Sequence, residues 1–105
     1  MEKRQQLEAF EGRGRLVWES HNLPVRYDVT VNQYQDVGSD GSVRLAHRTI
    51  EARVEAADQG LLAEANGRED LVLYLEDGRW FPCVLREVQG GAGWLVSESE
   101  LSSQS

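Results

Sequence analysis

The stretch VRYDVTVNQY, residues 25–34, alternates apolar and polar side chains, and this alternation decides the fold class. One face carries Val25, Tyr27, Val29 and Val31, and the other carries Arg26, Asp28, Thr30 and Asn32. A period of two residues is typical of a β-strand with one buried and one solvated face. We therefore predict an antiparallel, all-β protein.

The flanking segments continue the β pattern. GRLVWES, residues 14–20, is predicted as a strand that ends in a turn around Asn22 and Pro24. DVGSDGS, residues 36–42, has the composition of a loop. Residues 43–56 alternate again but change phase between Ala46 and Thr49, which predicts a β-bulge or a sharp bend. A helix over residues 50–57 is the competing interpretation.

The second half predicts more short strands joined by tight turns. The expected strands are GLLAEAN (60–66), DLVLYLE (70–76), RWFPCVLREV (79–88) and WLVSE (94–98). DLVLYLE is apolar on both faces, as in a central strand. Pro82 indicates an edge strand or a bulge, because proline cannot donate to the ladder. Asp77-Gly78 is the dipeptide preferred in a two-residue type I′ hairpin.

Seven or eight short strands in a meander must pair as a sandwich or close as a barrel to hide their edges. We predict a small antiparallel barrel over residues 13–98, as a single domain. Residues 1–12 are expected to form a short N-terminal helix or to fray. The polar tail, residues 99–105, is expected to be disordered.

The composition limits where in the cell the protein can be expected. The chain has 105 residues, 40% of them apolar, and a single cysteine, Cys83. No internal disulfide is possible, the first residues do not resemble a secretory signal, and no apolar run could span a bilayer. We expect a cytoplasmic protein that does not bind membranes.

Charge is distributed unevenly along the chain. Residues 1–53 carry 8 basic and 8 acidic side chains, and residues 54–105 carry 3 and 10, so the second half holds the whole net charge of −7. An acidic protein gains little binding energy from contacts with DNA phosphates, so we expect no binding to duplex nucleic acid. Aromatic side chains on a small barrel would suit single-stranded nucleic acid, but arginines and acids are interleaved in the first half.

Two segments resemble short uncharacterised bacterial proteins that form all-β barrels. The VxYxVxV pattern is Val25–Val31, the LxLEDGR pattern is Leu73–Arg79, and a G-x-L start is found at Gly14–Leu16. The resemblance covers most of residues 14–97. It implies the barrel fold and a bacterial setting, and it implies no activity.

PilZ domains, which are small barrels that bind cyclic dinucleotides, offer a second comparison. Their motif places RxxxR ahead of the barrel and [D/N]xSxxG on a strand. Here Arg13-Gly-Arg15 has the wrong spacing, and DVGSDG lies in a loop. Both halves of the motif are missing, which argues against this function.

No constellation of catalytic residues is visible. Cys83 with His21 or His47 is the only thiol set, and a mid-strand cysteine is typically a small core residue. The two histidines and one cysteine lack the spacing of a metal site, so we expect no metal, cofactor or enzymatic activity.

The remaining hypothesis is binding. We predict a non-catalytic module for a protein partner or a small ligand, with Tyr27, His47, Arg48 and Trp80 as candidate binding residues. Trp and Tyr supply large contact area with a polar group, and bulges often redirect side chains near functional sites. A small-ligand carrier or barrel enzyme with an internal pocket is the alternative. A monomer or a weak homodimer through an edge strand is expected.

Overall fold

The computed structural model describes residues 2–98 and 102–103, and within them the side chains of residues 6–35, 37–42 and 48–98. Antiparallel strands dominate this part of the chain. The elements in chain order are β1 (Glu2–Trp18), β2 (His21–Val37), β3 (Val43–Glu55), α1 (Gln59–Ala65), β4 (Leu71–Tyr74), β5 (Arg79–Gln89), β6 (Ala92–Ser97) and β7 (Ser102–Ser103).

Six strands pair in a closed ring, in the order β4-β1-β2-β3-β6-β5, with β5 pairing back to β4. We call this arrangement the ring. The two-residue β7 pairs with Arg79 and Trp80 at the start of β5. The prediction of an antiparallel β protein is confirmed, but the ring has six strands instead of seven or eight. The predicted disordered tail lies outside the described residues apart from β7.

The predicted N-terminal helix is wrong. Residues 2–18 form one strand that pairs with β2 from Trp18 opposite His21 to Glu2 opposite Asp36. A helix this short is marginal on its own, so hydrogen bonding along a full-length partner overrides its propensity. The predicted turn around Asn22 and Pro24 is also wrong, because the chain turns at residues 19–20 and both residues lie within β2.

The central prediction, the strand over residues 25–34, is confirmed. Val25, Tyr27, Val29 and Val31 are all buried, whereas Arg26 and Asp28 on the opposite face are exposed. Asn32, which was predicted on the solvated face, is buried instead and is 1% exposed. The strand over residues 43–56 is confirmed as β3. Its phase change is a bulge: Tyr34 lies opposite His47 and Gln35 opposite Leu45, so Ala46 is the additional residue.

The predicted strand at residues 60–66 is wrong, because this segment contains helix α1. The Asp58 carboxylate accepts a hydrogen bond from the Leu61 N–H at 3.0 Å and caps the helix. Leu62 and Ala65, three residues apart, are fully buried against the ring. Burial of this apolar face stabilises the helix despite its length. No helix among the described residues is long and apolar enough to cross a membrane.

The hairpin at Asp77-Gly78 is confirmed, but its predicted turn type is wrong. The Gly78 N–H donates to the Leu75 carbonyl, and the Leu75 N–H donates to the Arg79 carbonyl. Of the two central residues only Gly78 has a positive φ, of 91°. The loop therefore has three residues, with glycine in the left-handed position. The Asp77 carboxylate accepts the Arg79 N–H at 3.0 Å, which stabilises this turn.

Candidate functional site

Side chains fill the interior of the ring. Every strand of the ring contributes buried residues, and α1 adds Leu62 and Ala65. Ten apolar residues from β2 to β6 are at most 1% exposed: Leu23, Val29, Ile50, Ala52, Val54, Leu71, Leu73, Phe81, Leu85 and Leu95. This packing gives the alternative of an internal ligand pocket no support.

Tyr27, the first predicted binding residue, belongs to this core. It is 3% exposed, and its ring meets Phe10 edge to face with centroids 6.3 Å apart. Its hydroxyl accepts a hydrogen bond from the Glu76 N–H at 3.3 Å. Burial raises the pKa of the phenol, so the group stays neutral. The geometry gives Tyr27 a structural role.

The other predicted residues lie on β3 and β5. The Arg48 Nε donates to the Gln33 Oε1 at 2.9 Å. His47 lies at the bulge of β3, and its side chain is outside the described residues. Trp80 is half-buried on β5 with its ring 6.4 Å from that of Tyr74. Tyr27 lies inside the ring, whereas Arg48 and Trp80 lie on β3 and β5, two strands that do not pair with each other.

A groove on the outer face of β3, β6 and β5 is the best candidate site. Its volume is about 450 Å³, within the range of small-ligand clefts. Pro82, Val84 and Val96 supply its apolar lining. Val84 lies opposite Val96, and Val96 lies opposite Glu51 on β3, so three adjacent strands build one surface. Buried residues alternate with these positions, which directs the groove side chains outward.

Four charged side chains surround the apolar lining: Glu51, Glu69, Glu98 and Arg86. None of these four forms an ion pair with another described residue. The carboxylates do not converge, since the described residues contain no group of three His, Cys, Asp or Glu able to hold a metal ion. The charges around the groove are therefore open to an organic partner.

Two arginines elsewhere on the described surface are each paired with two carboxylates. Arg68 bonds Asp70 through two nitrogens, at 2.8 and 2.6 Å, and also contacts Glu19 at 2.8 Å. Hydrogen bonds and charge from Arg68 lower the pKa of Asp70. Arg79 pairs with Glu8 at 3.1 Å and Asp77 at 2.8 Å.

Trp94 extends the apolar surface beside the groove. It lies on β6 two residues before Val96, opposite Arg53 on β3 and Arg86 on β5. Its side chain is 37% exposed, which is unusual for the largest apolar residue, and only Leu7 among the described large hydrophobic residues is more exposed. Exposed tryptophans of this kind often anchor protein partners.

Cys83 touches the groove but is unsuited to nucleophilic chemistry. It is 4% exposed, and burial raises the pKa of its thiol to about 12. A reactive cysteine needs a depressed pKa and access to solvent. The residue packs as a core side chain.

A second, smaller hollow of about 210 Å³ lies across β1, β2 and β3. Acidic and basic residues alternate around it, including Glu11, Arg26 and Asp28. Its lining is mostly polar and its charges are interleaved, so it offers no apolar contact area. Binding at this hollow can therefore be distinguished from binding at the groove.

The sequence predictions missed the groove residues. Their signal was present in RWFPCVL, residues 79–85, where apolar residues occupy both faces of a strand. Phe81, Cys83 and Leu85 point inward, so Pro82 and Val84 must form an apolar patch outside. No protein-family model matches the chain, and no curated protein or solved structure is similar to it.

Proposed function

We propose that the chain is a non-catalytic binding module whose outer groove receives an apolar, basic segment of a partner protein. The observation that carries this proposal is the apolar lining of Pro82, Val84 and Val96 beside three unpaired carboxylates. We interpret the ring as a small antiparallel barrel, and the barrel as a rigid scaffold for this surface.

The chemistry of the groove selects the partner. An apolar side chain of the partner would contact Val84 and Val96, and a lysine or arginine would lie near Glu51, Glu69 or Glu98. Nucleic acid suits the groove poorly, because the carboxylates would repel phosphates. The single buried Cys83 is compatible with a reducing compartment such as the cytoplasm, in the bacterial setting that the sequence resemblance implies.

A titration monitored by two-dimensional ¹H–¹⁵N NMR tests this function. The probe is N-acetyl-leucyl-arginine N-methylamide, and the charge-reversed comparison is N-acetyl-leucyl-glutamate N-methylamide. We expect shifts at Glu51, Val84 and Val96 with the arginine probe and weaker shifts with the glutamate probe. Arg86, the one cation of the groove, is expected to leave this preference unchanged, since the groove lining carries three carboxylates against this single positive charge.

Matched variants localise the binding. Val84→Glu places a charge in the groove and should abolish the shifts. Ala9→Glu adds the same charge at an exposed position of β1, which does not line the groove, and should leave them unchanged. Shifts centred on Glu11, Arg26 and Asp28, or no shifts with either probe, would contradict the proposal.

A further inference from the structure

Two neighbouring polar side chains in the described sheet lack hydrogen-bond partners. Asn32 on β2 is 1% exposed, and both its Oδ1 and its Nδ2 are buried without a partner. The Thr49 Oγ1 on β3 is likewise buried without a hydrogen-bond partner. The two residues lie opposite each other in the β2–β3 register, yet their side chains do not bond to one another.

These groups stand at one end of the groove. Thr49 lines it, one residue before Ile50, which is the first residue of β3 that pairs with β6. Asn32 lies beside Thr49, on the side away from the groove. A buried polar group without a partner costs about 1–3 kcal/mol, so a ligand that supplies the missing bonds gains affinity.

We infer that Thr49, backed by Asn32, is a subsite that hydrogen-bonds the main-chain amide of the bound peptide. This inference rests on the proposed function. A hydroxyl and a carboxamide are neutral groups that both donate and accept, which matches a peptide N–H and C=O. The basic side chains of the partner would pair with the carboxylates of the groove. Rotation about the Cα–Cβ bond of Thr49 turns its hydroxyl toward the ligand.

Replacement of one amide of the probe by an ester tests the subsite. The arginine probe is compared with its depsipeptide, in which an ester joins leucine to arginine and the N–H donor is lost. Wild-type protein should bind the amide about five- to tenfold more tightly than the ester, as expected for one hydrogen bond. Thr49→Val keeps the shape of the side chain and should bind amide and ester equally.

Asn32→Leu provides the second variant. It should also reduce the preference for the amide, because the Thr49 hydroxyl loses its polar neighbour. The melting temperature should change little, because removal of two unpartnered polar atoms offsets the cost of fitting the bulkier leucine. Ser97→Ala removes another hydroxyl from the groove lining and should retain the wild-type preference.

The outcomes separate the two proposals. If neither probe binds wild-type protein, the proposed function fails and the subsite fails with it. If both bind, but Thr49→Val keeps the wild-type preference for the amide, the subsite alone is refuted. Loss of stability in both variants with the preference retained would identify a structural pair bridged by buried water, which also overturns the subsite.

Discussion

The hydroxyl of Tyr27 accepts a hydrogen bond from the backbone N–H of Glu76, at 3.3 Å, and thereby joins strand β2 to the loop between β4 and β5. The ring of Tyr27 reaches this loop across Gly12 and Gly14 of β1. A β-carbon at Gly12 would lie 2.6 Å from the Tyr27 hydroxyl, and one at Gly14 would overlap the Tyr74 carbonyl oxygen. The two glycines therefore provide the space for the tyrosine.

Removal of the hydroxyl should weaken the fold. Tyr27→Phe leaves the Glu76 N–H without this partner, so we expect a loss of about 1 kcal/mol in the free energy of unfolding. For a domain of this length, that loss lowers the melting temperature by roughly 4–8 °C. Tyr74→Phe is the control, because the Tyr74 hydroxyl makes no hydrogen bond within the described structure. Equal melting temperatures for the two variants would contradict the role of Tyr27.

A methyl group at Gly14 should be more damaging. Gly14→Ala brings a β-carbon against the Tyr74 carbonyl oxygen, a backbone atom that cannot move freely. We expect a loss of about 3 kcal/mol or more, at the upper end of overpacking effects. Gly60→Ala in α1 has its nearest neighbouring atom at 3.7 Å and should stabilise by ~0.5–1 kcal/mol. Urea denaturation measures both, and a stable Gly14→Ala protein would refute the close approach of β1 and β4.

Alkaline pH should destabilise the protein through two buried acids. The folded pKa of Cys83 is about 12 and that of Tyr27 is raised, both because burial disfavours the ionised form. Their stabilisation is complete below the unfolded values, ~8.5 and ~10, and is lost as pH rises through the folded pKa values. One such group contributes a slope of up to about 1.4 kcal/mol per pH unit.

Two variants show which residue causes this dependence of the unfolding free energy on pH. Cys83→Ala should flatten the fall of the unfolding free energy between about pH 9 and 10, and Tyr27→Phe should flatten it above about pH 10. Urea denaturation across this range gives the slopes. An unchanged slope in Cys83→Ala would show that the thiol is accessible and titrates normally.

The sequence allowed prediction of the elements whose patterns are local. The alternation over Val25–Val31 identified the buried apolar face of β2 but not the burial of Asn32, and the phase change near Ala46 located the bulge. Residues 2–12 and 60–66 were misassigned, because their structure depends on non-local contacts. Full-length pairing with β2 holds the first segment extended, and an Asp58 cap with burial of Leu62 and Ala65 makes the second helical.

The candidate site was less accessible to sequence reasoning. The groove combines residues from three strands, and only the register of β3, β6 and β5 brings Glu51, Val96 and Val84 into one row. The aromatic residues attracted attention instead, yet Tyr27 packs in the core. Composition does not distinguish an interior aromatic residue from a binding one.

Trp94 should contribute little to folding, since its exposed side chain is available to a partner. Because part of the Trp94 side chain still packs on the sheet, we expect Trp94→Ala to lower the free energy of unfolding by about 1 kcal/mol. Trp18, 2% exposed, is the control, and Trp18→Ala should cost ~3–5 kcal/mol. Circular dichroism follows the denaturation, because each change removes one of the three tryptophan fluorophores. A cost above about 2 kcal/mol for Trp94→Ala would place that residue in the core.

Selection of peptides from a random twelve-residue display library tests the central claim most directly. Selection against the wild-type chain should enrich sequences that combine apolar residues with lysine or arginine, and these peptides should lose binding to Val84→Glu but not to Ala9→Glu. The double variant Glu51→Arg, Glu98→Arg should shift the enriched charge from basic to acidic. Enrichment that is the same against all of these proteins, or acidic peptides selected by the wild type, would contradict a groove that binds basic, apolar segments.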